Sequence, residues 1–74
     1  MKKGDIYSVV GVEQDASGVI VETDAGHVLG VIAAHDVEVG AKLQVGPVCG
    51  DWCKVFLKGE TYRAQILQRS VKSS

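Results

Sequence analysis

Residues 52–63 read Trp-Cys-Lys-Val-Phe-Leu-Lys-Gly-Glu-Thr-Tyr-Arg, two alternating runs joined at Gly59-Glu60. A strand sends successive side chains to opposite faces. Cys53, Val55 and Leu57 therefore share one face, and Trp52, Lys54, Phe56 and Lys58 share the other. A two-residue hairpin loop at Gly59-Glu60 pairs Lys58 with Thr61, Leu57 with Tyr62, Phe56 with Arg63 and Lys54 with Gln65. One face is then apolar, made of Cys53, Val55, Leu57, Tyr62, Ala64 and Ile66. The other mixes two aromatics with three cations, a combination that core packing does not ask for.

The same two-residue rhythm runs outward through the chain. Short runs rich in β-branched residues recur between turn signals, as in an all-β fold. Strands are expected at Asp5–Val12, Val19–Thr23, His27–Ala33, Ala41–Val48, Trp52–Lys58 and Thr61–Gln68. The segment from Glu13 to Gly18 reads as a loop, and Asp24-Ala25-Gly26 and Gly50-Asp51 as turns. Helix has one foothold, Gly30–Glu38, with room for a single turn. Acids at its C-terminal end oppose the helix dipole. The expectation is one all-β domain over residues 1–74, a small antiparallel sheet or barrel of about six strands, with a flexible tail at 69–74.

A chain of 74 residues buries only about 60% of the surface its unfolded form exposes. Its strand edges must also be hidden. Closure into a barrel is one solution, and pairing each edge with a neighbouring subunit is another. Val28, Leu29, Val31 and Ile32 place apolar residues on both faces of one strand, which favours a cyclic homo-oligomer. Eight Lys and Arg against nine Asp and Glu give a net charge of −1, which argues against a generally basic nucleic-acid binder. The charge is unevenly placed, however. Asp15, Glu22, Asp24, Asp36 and Glu38 lie in or at the end of the first half, whereas Lys54, Lys58, Arg63, Arg69 and Lys72 lie in the last third. No apolar run approaches membrane-spanning length, and no apolar segment follows Met1-Lys2-Lys3. The expected location is the cytoplasm, where cysteines are kept as thiols.

Cys49 and Cys53 flank Gly50-Asp51-Trp52. A two-residue loop at Gly50-Asp51 sets Cys49 opposite Trp52 and sends the thiols to opposite sides of the sheet. A three-residue loop sets Cys49 opposite Cys53, where a disulfide becomes conceivable. His27 and His35 complete a four-ligand zinc set on paper, at a spacing that matches no standard finger. Thiols are the favoured reading, with no metal and no cofactor. The histidines read as hairpin and loop polar residues. No nucleophile stands at a recognisable spacing from a base, and no glycine-rich phosphate loop occurs, so an enzyme is not expected. Bases stack on aromatic side chains and cations track phosphates. Lys54, Phe56, Lys58 and Arg63 are therefore the candidate contacts for single-stranded RNA, with Thr61 and Gln65 adding hydrogen-bonding capacity. In the competing reading the chain is a structural or small-ligand-binding oligomer, and Trp52 and Phe56 form a subunit interface.

The N-terminal piece Asp5-Ile6-Tyr7-Ser8-Val9-Val10-Gly11-Val12-Glu13 and the piece Lys54–Gln65 centred on Lys58-Gly59-Glu60 resemble the tryptophan-activated RNA-binding attenuation proteins of bacteria. The resemblance extends to length, strand pattern and order of turns. It implies a ring of identical subunits joined edge to edge, with single-stranded RNA wrapped around the rim on a set of two lysines and an arginine. Lys58 matches the position of the arginine, Phe56 stands where a rim lysine would be, and Lys54 lies on the same face. A small-molecule effector is implied too. Thr23-Asp24-Ala25-Gly26 partly echoes the loops that grip tryptophan in that family, whereas Gly46-Pro47-Val48-Cys49 lacks their hydroxyls.

Overall fold

In a computed structural model, six strands close into one antiparallel barrel; the structure describes residues 1–68. The strands are β1 (Ile6–Asp15), β2 (Gly18–Thr23), β3 (Val28–Ile32), β4 (Lys42–Cys49), β5 (Trp52–Leu57) and β6 (Glu60–Gln68). Around the barrel their order is β1-β2-β3-β6-β5-β4, with β4 returning to β1. The tail expected at 69–74 lies outside the described residues. Among the described residues there is no helix, and residues 33–41 form a loop where one helical turn was conceivable.

β1 makes closure possible because it is long enough to serve two neighbours. Its first part pairs with β4 (Ile6 with Gln44, Ser8 with Lys42), and its second part pairs with β2 as far as Asp15 with Gly18. An irregularity between Val9 and Gly11 separates the two parts. A bulge adds twist and bend, which lets one strand turn the corner between them. The loop expected from Glu13 to Gly18 is thus reduced to Ala16-Ser17, with the strand continuing to Asp15. Closure also corrects the argument from open edges. β1 and β4 cover each other within one chain, so barrel formation does not need a neighbouring subunit.

Alternation fills the interior with Val9, Val19, Val21, Leu29, Val31, Leu43, Val45, Val55, Leu57 and Ala64, all essentially inaccessible. Burying each of the larger side chains contributes roughly 1.5–3 kcal/mol. Ala34 and Val37, from the β3–β4 loop, join the same core. Each follows a non-glycine residue in the left-handed region, Ala33 (φ 63°) and Asp36 (φ 61°). On β3 the two faces divide as alternation requires: Leu29 and Val31 are buried, and Val28 and Ile32 are half-buried on the outside.

The β5–β6 turn differs from the sequence expectation. Its two loop residues are Lys58-Gly59, with Leu57 paired to Glu60, Phe56 to Thr61, Lys54 to Arg63 and Trp52 to Gln65. Both loop residues have positive φ, 54° at Lys58 and 80° at Gly59. Such a turn matches the right-handed twist of the flanking strands. Placing glycine second therefore satisfies the strand twist, at the cost of a left-handed lysine. The Lys58 ammonium donates to the Asp36 carbonyl at 2.6 Å, tying the turn to the β3–β4 loop. Relative to the expected register, β6 slides by two residues along β5. A slide of two preserves which side chains face inward, so the apolar face stands: Cys53, Val55, Leu57, Ala64 and Ile66 are buried and Tyr62 packs against them.

Candidate nucleic-acid interface

Outward-facing residues of β5 and β6, walled by the end of β4, form the site. The corrected register sets Lys54 directly opposite Arg63. The Arg63 guanidinium carbon lies 4.6 Å from the centre of the Trp52 ring. Like charges opposite one another in a sheet are destabilising, and an exposed cation–π contact returns only about 0.5–1 kcal/mol. Among the described residues, no carboxylate pairs with either cation.

A groove of about 210 Å³ opens beside these groups, lined by Pro47, Cys49, Trp52, Cys53, Lys54 and Arg63. Its far wall comes from a register shift in β4 between Val45 and Val48, at Gly46-Pro47. Proline lacks the N–H that a ladder needs and belongs at such irregularities. Gly46 lets β4 and β5 approach closely. A Cβ there would lie 3.1 Å from the Lys54 carbonyl oxygen and 3.2 Å from Cε2 of Phe56. The Phe56 ring thus lies over Gly46 while remaining 39% exposed.

The four candidate contacts separate into three places. Lys54 and Arg63 form the cationic pair beside Trp52. Phe56 lies two residues along β5, in an outward row that runs Ile6, Gln44, Phe56, Thr61 across four strands. Lys58 has left the row for the turn, where its ammonium is engaged by Asp36. Sequence reasoning did not assign Pro47 or Cys49 to the groove. The Gly46-Pro47 pair was the available signal, because a Gly-Pro step inside a strand run marks a bulge.

The β4–β5 turn follows the two-residue alternative. Cys49 pairs with Trp52, and Gly50 takes φ 59° at the first loop position, where type II′ turns place glycine. Cys49 is exposed and Cys53 buried, both as thiols. His27 is buried, with its ring edge-on to Tyr7 at 5.3 Å, while His35 is exposed in the β3–β4 loop. At the same end of the barrel, the Lys2 backbone N–H donates to Asp5 at 2.9 Å and the Tyr7 hydroxyl donates to it at 3.1 Å. These donors, the backbone one foremost, hold the Asp5 carboxyl below its ordinary range. Burial, then the bond to Asp5, pushes the Tyr7 phenol up.

No protein-family model, curated protein or solved structure matches this chain.

Proposed function

We propose that the protein is a non-catalytic binder of single-stranded RNA, acting through the outer face of β5 and β6 as a homo-oligomer. The observation that carries this reading is the facing pair Lys54 and Arg63, with Arg63 stacked on Trp52 beside an apolar groove. Two cations held opposite each other favour an anion between them. A phosphate supplies that charge, and its neighbouring base supplies a flat apolar surface for Trp52 or the groove. Stacking of one base on an aromatic ring is worth roughly 1–3 kcal/mol. Trp52, Lys54 and Arg63 form the centre of this site, and Phe56 extends it along β5. Lys58 contributes positive potential from the turn while its ammonium holds Asp36.

The resemblance to the attenuation proteins supports an RNA ligand and a ring of copies. A ring of these barrels would join through outer faces, since β1 and β4 already cover each other. The small-molecule effector of that family has weaker support, because the segment at Gly46-Pro47 is a bulge that walls the groove.

The test is titration of a fluorescent single-stranded RNA, about a dozen nucleotides long, at several salt concentrations. Lys54→Ala and Arg63→Ala should each weaken binding and reduce the slope of log K against log salt by about 0.7, the single-strand value for one phosphate contact. Trp52→Ala should weaken binding by roughly 5- to 150-fold at every salt concentration. No binding by the parent protein at low salt would end the RNA reading and leave the same face as a subunit interface.

A further inference from the structure

The outer wall on the other side of β6 has the opposite relief. Gly18 of β2 and Gly30 of β3 floor a trough of about 110 Å³, flanked by Ile20, Ile32 and Leu67, with Asp15 at its rim. Its volume is smaller than the ~150 Å³ enclosed cavity that accepts a benzene ring, so an aromatic ring enters this open trough in part. A Cβ at Gly30 would lie 3.5 Å from Cδ1 of Leu67, so Leu67 leans over the glycine although it is 49% exposed. Glu13 continues the acidic side, in the outward row Glu13, Ile20, Gly30, Gln65.

We infer that this trough receives Phe56 of a second copy of the chain, with Lys54 of that copy against Asp15. The inference deepens the self-association in the preceding reading and rests on it. Three observations select the occupant. Phe56 is the most exposed aromatic side chain among the described residues, and its ring is backed by Gly46. Lys54 precedes it by two on the same face, so a cation accompanies the ring as an anion accompanies the trough. A chain cannot fill its own trough, because β6 stands between β5 and β3 in the barrel wall. Each copy therefore presents one knob and one trough. Such a heterologous contact propagates head to tail, and closes into a ring when the rotation permits. The contact takes Phe56 and Lys54 of the engaged knob out of the ligand face. Within the assembly Trp52 and Arg63, which lie beside them, therefore carry the ligand, and all four residues face it only on a copy whose knob is free.

A heterologous contact has a decisive signature in mixing. Phe56→Asp disables the knob and Leu67→Asp the trough, and each variant should sediment as a monomer at about 100 µM while the parent is heavier. Mixed in equal amounts, the two variants should form a 1:1 dimer and nothing larger, since one good knob and one good trough remain. Circular dichroism and thermal melts confirm that both variants are folded. Asp15→Lys, which leaves the apolar partners intact, should weaken association up to about fivefold, as expected for an exposed ion pair. Adding Lys54→Glu to Asp15→Lys should restore it. A monomeric parent, or a mixture that stays monomeric, overturns the inference. So does a Leu67→Asp variant that keeps the parental mass and instead loses RNA binding, which would make the trough a base pocket. RNA titrations of the monomeric Leu67→Asp protein report on the ligand site separately, so failure of one reading is distinguishable from failure of the other.

Discussion

The wall formed by β4, β5 and β6 and the wall formed by β1, β2 and β3 enclose one core, yet they carry opposite charge and opposite relief. Inside, both walls are built alike: Leu43, Val55 and Leu57 on one side and Val19, Val21, Leu29 and Val31 on the other, all fully buried. Outside, the first wall raises Phe56 and the Trp52–Arg63 stack beside Lys54. The second sinks to Gly18 and Gly30 and is edged by Glu13 and Asp15. Burial fixes what points inward, so the shared interior says little about function. Nothing in barrel closure requires a facing pair of cations or a glycine-floored trough, and these unforced choices are where function is read.

The largest effect should come from the floor of the trough. A Cβ at Gly18 would sit 2.0 Å from the Val31 carbonyl oxygen and 2.8 Å from the Ala33 nitrogen. Gly18→Ala therefore has to push β2 and β3 apart, and urea denaturation should show a loss of about 3 kcal/mol or more. Gly30→Ala meets Leu67 at 3.5 Å and the Gln65 carbonyl oxygen at 4.0 Å, both ordinary contacts. It should be neutral or gain up to about 1 kcal/mol, because glycine is a costly residue within a strand. Equal losses at the two positions would show that the trough is not shaped by the close approach of β2 to β3.

On the opposite wall, stability and binding should move in contrary directions. Lys54→Thr removes one of two facing cations and should raise stability by roughly 0.2–1 kcal/mol in the same denaturation experiment. The RNA titration should weaken at once. A stability loss with Lys54→Thr would mean that the cationic pair is held by the fold and does not await an anion.

The smallest effect concerns the Asp5–Tyr7 pair at the start of β1. The Asp5 carboxyl is held below its ordinary value of 3.8, so its contribution is present above that value and lost as pH falls through the lower folded one. The Tyr7 phenol is pushed above 10.0, so its contribution is present below that value and lost as pH rises through the higher folded one. Melting temperature should accordingly fall at both extremes. Tyr7→Phe should flatten part of the acid limb, since the hydroxyl is one of the two donors to Asp5. An unchanged acid limb would assign that stabilisation to the Lys2 backbone N–H alone.

Strand number, strand order along the chain and the inward-facing set of β5 and β6 are all legible from residue alternation, because a period of two has only one way to hide Cys53, Val55, Leu57, Ala64 and Ile66. That assignment survives the misplaced turn, since the two registers differ by an even number of residues and parity is all that burial tests. The outward partners are another matter. Lys54 faces Arg63 instead of Gln65 because Lys58 accepts a left-handed conformation, and its ammonium there meets a carbonyl twenty-two residues earlier in the chain. Closure of β1 onto β4 depends likewise on a bend at Val9–Gly11, and the groove wall on the bulge at Gly46-Pro47. Local alternation thus decided what is buried. Which exposed groups meet was decided by twist, bulges and contacts distant in sequence, because solvent leaves outward side chains free of the constraint that a shared core imposes.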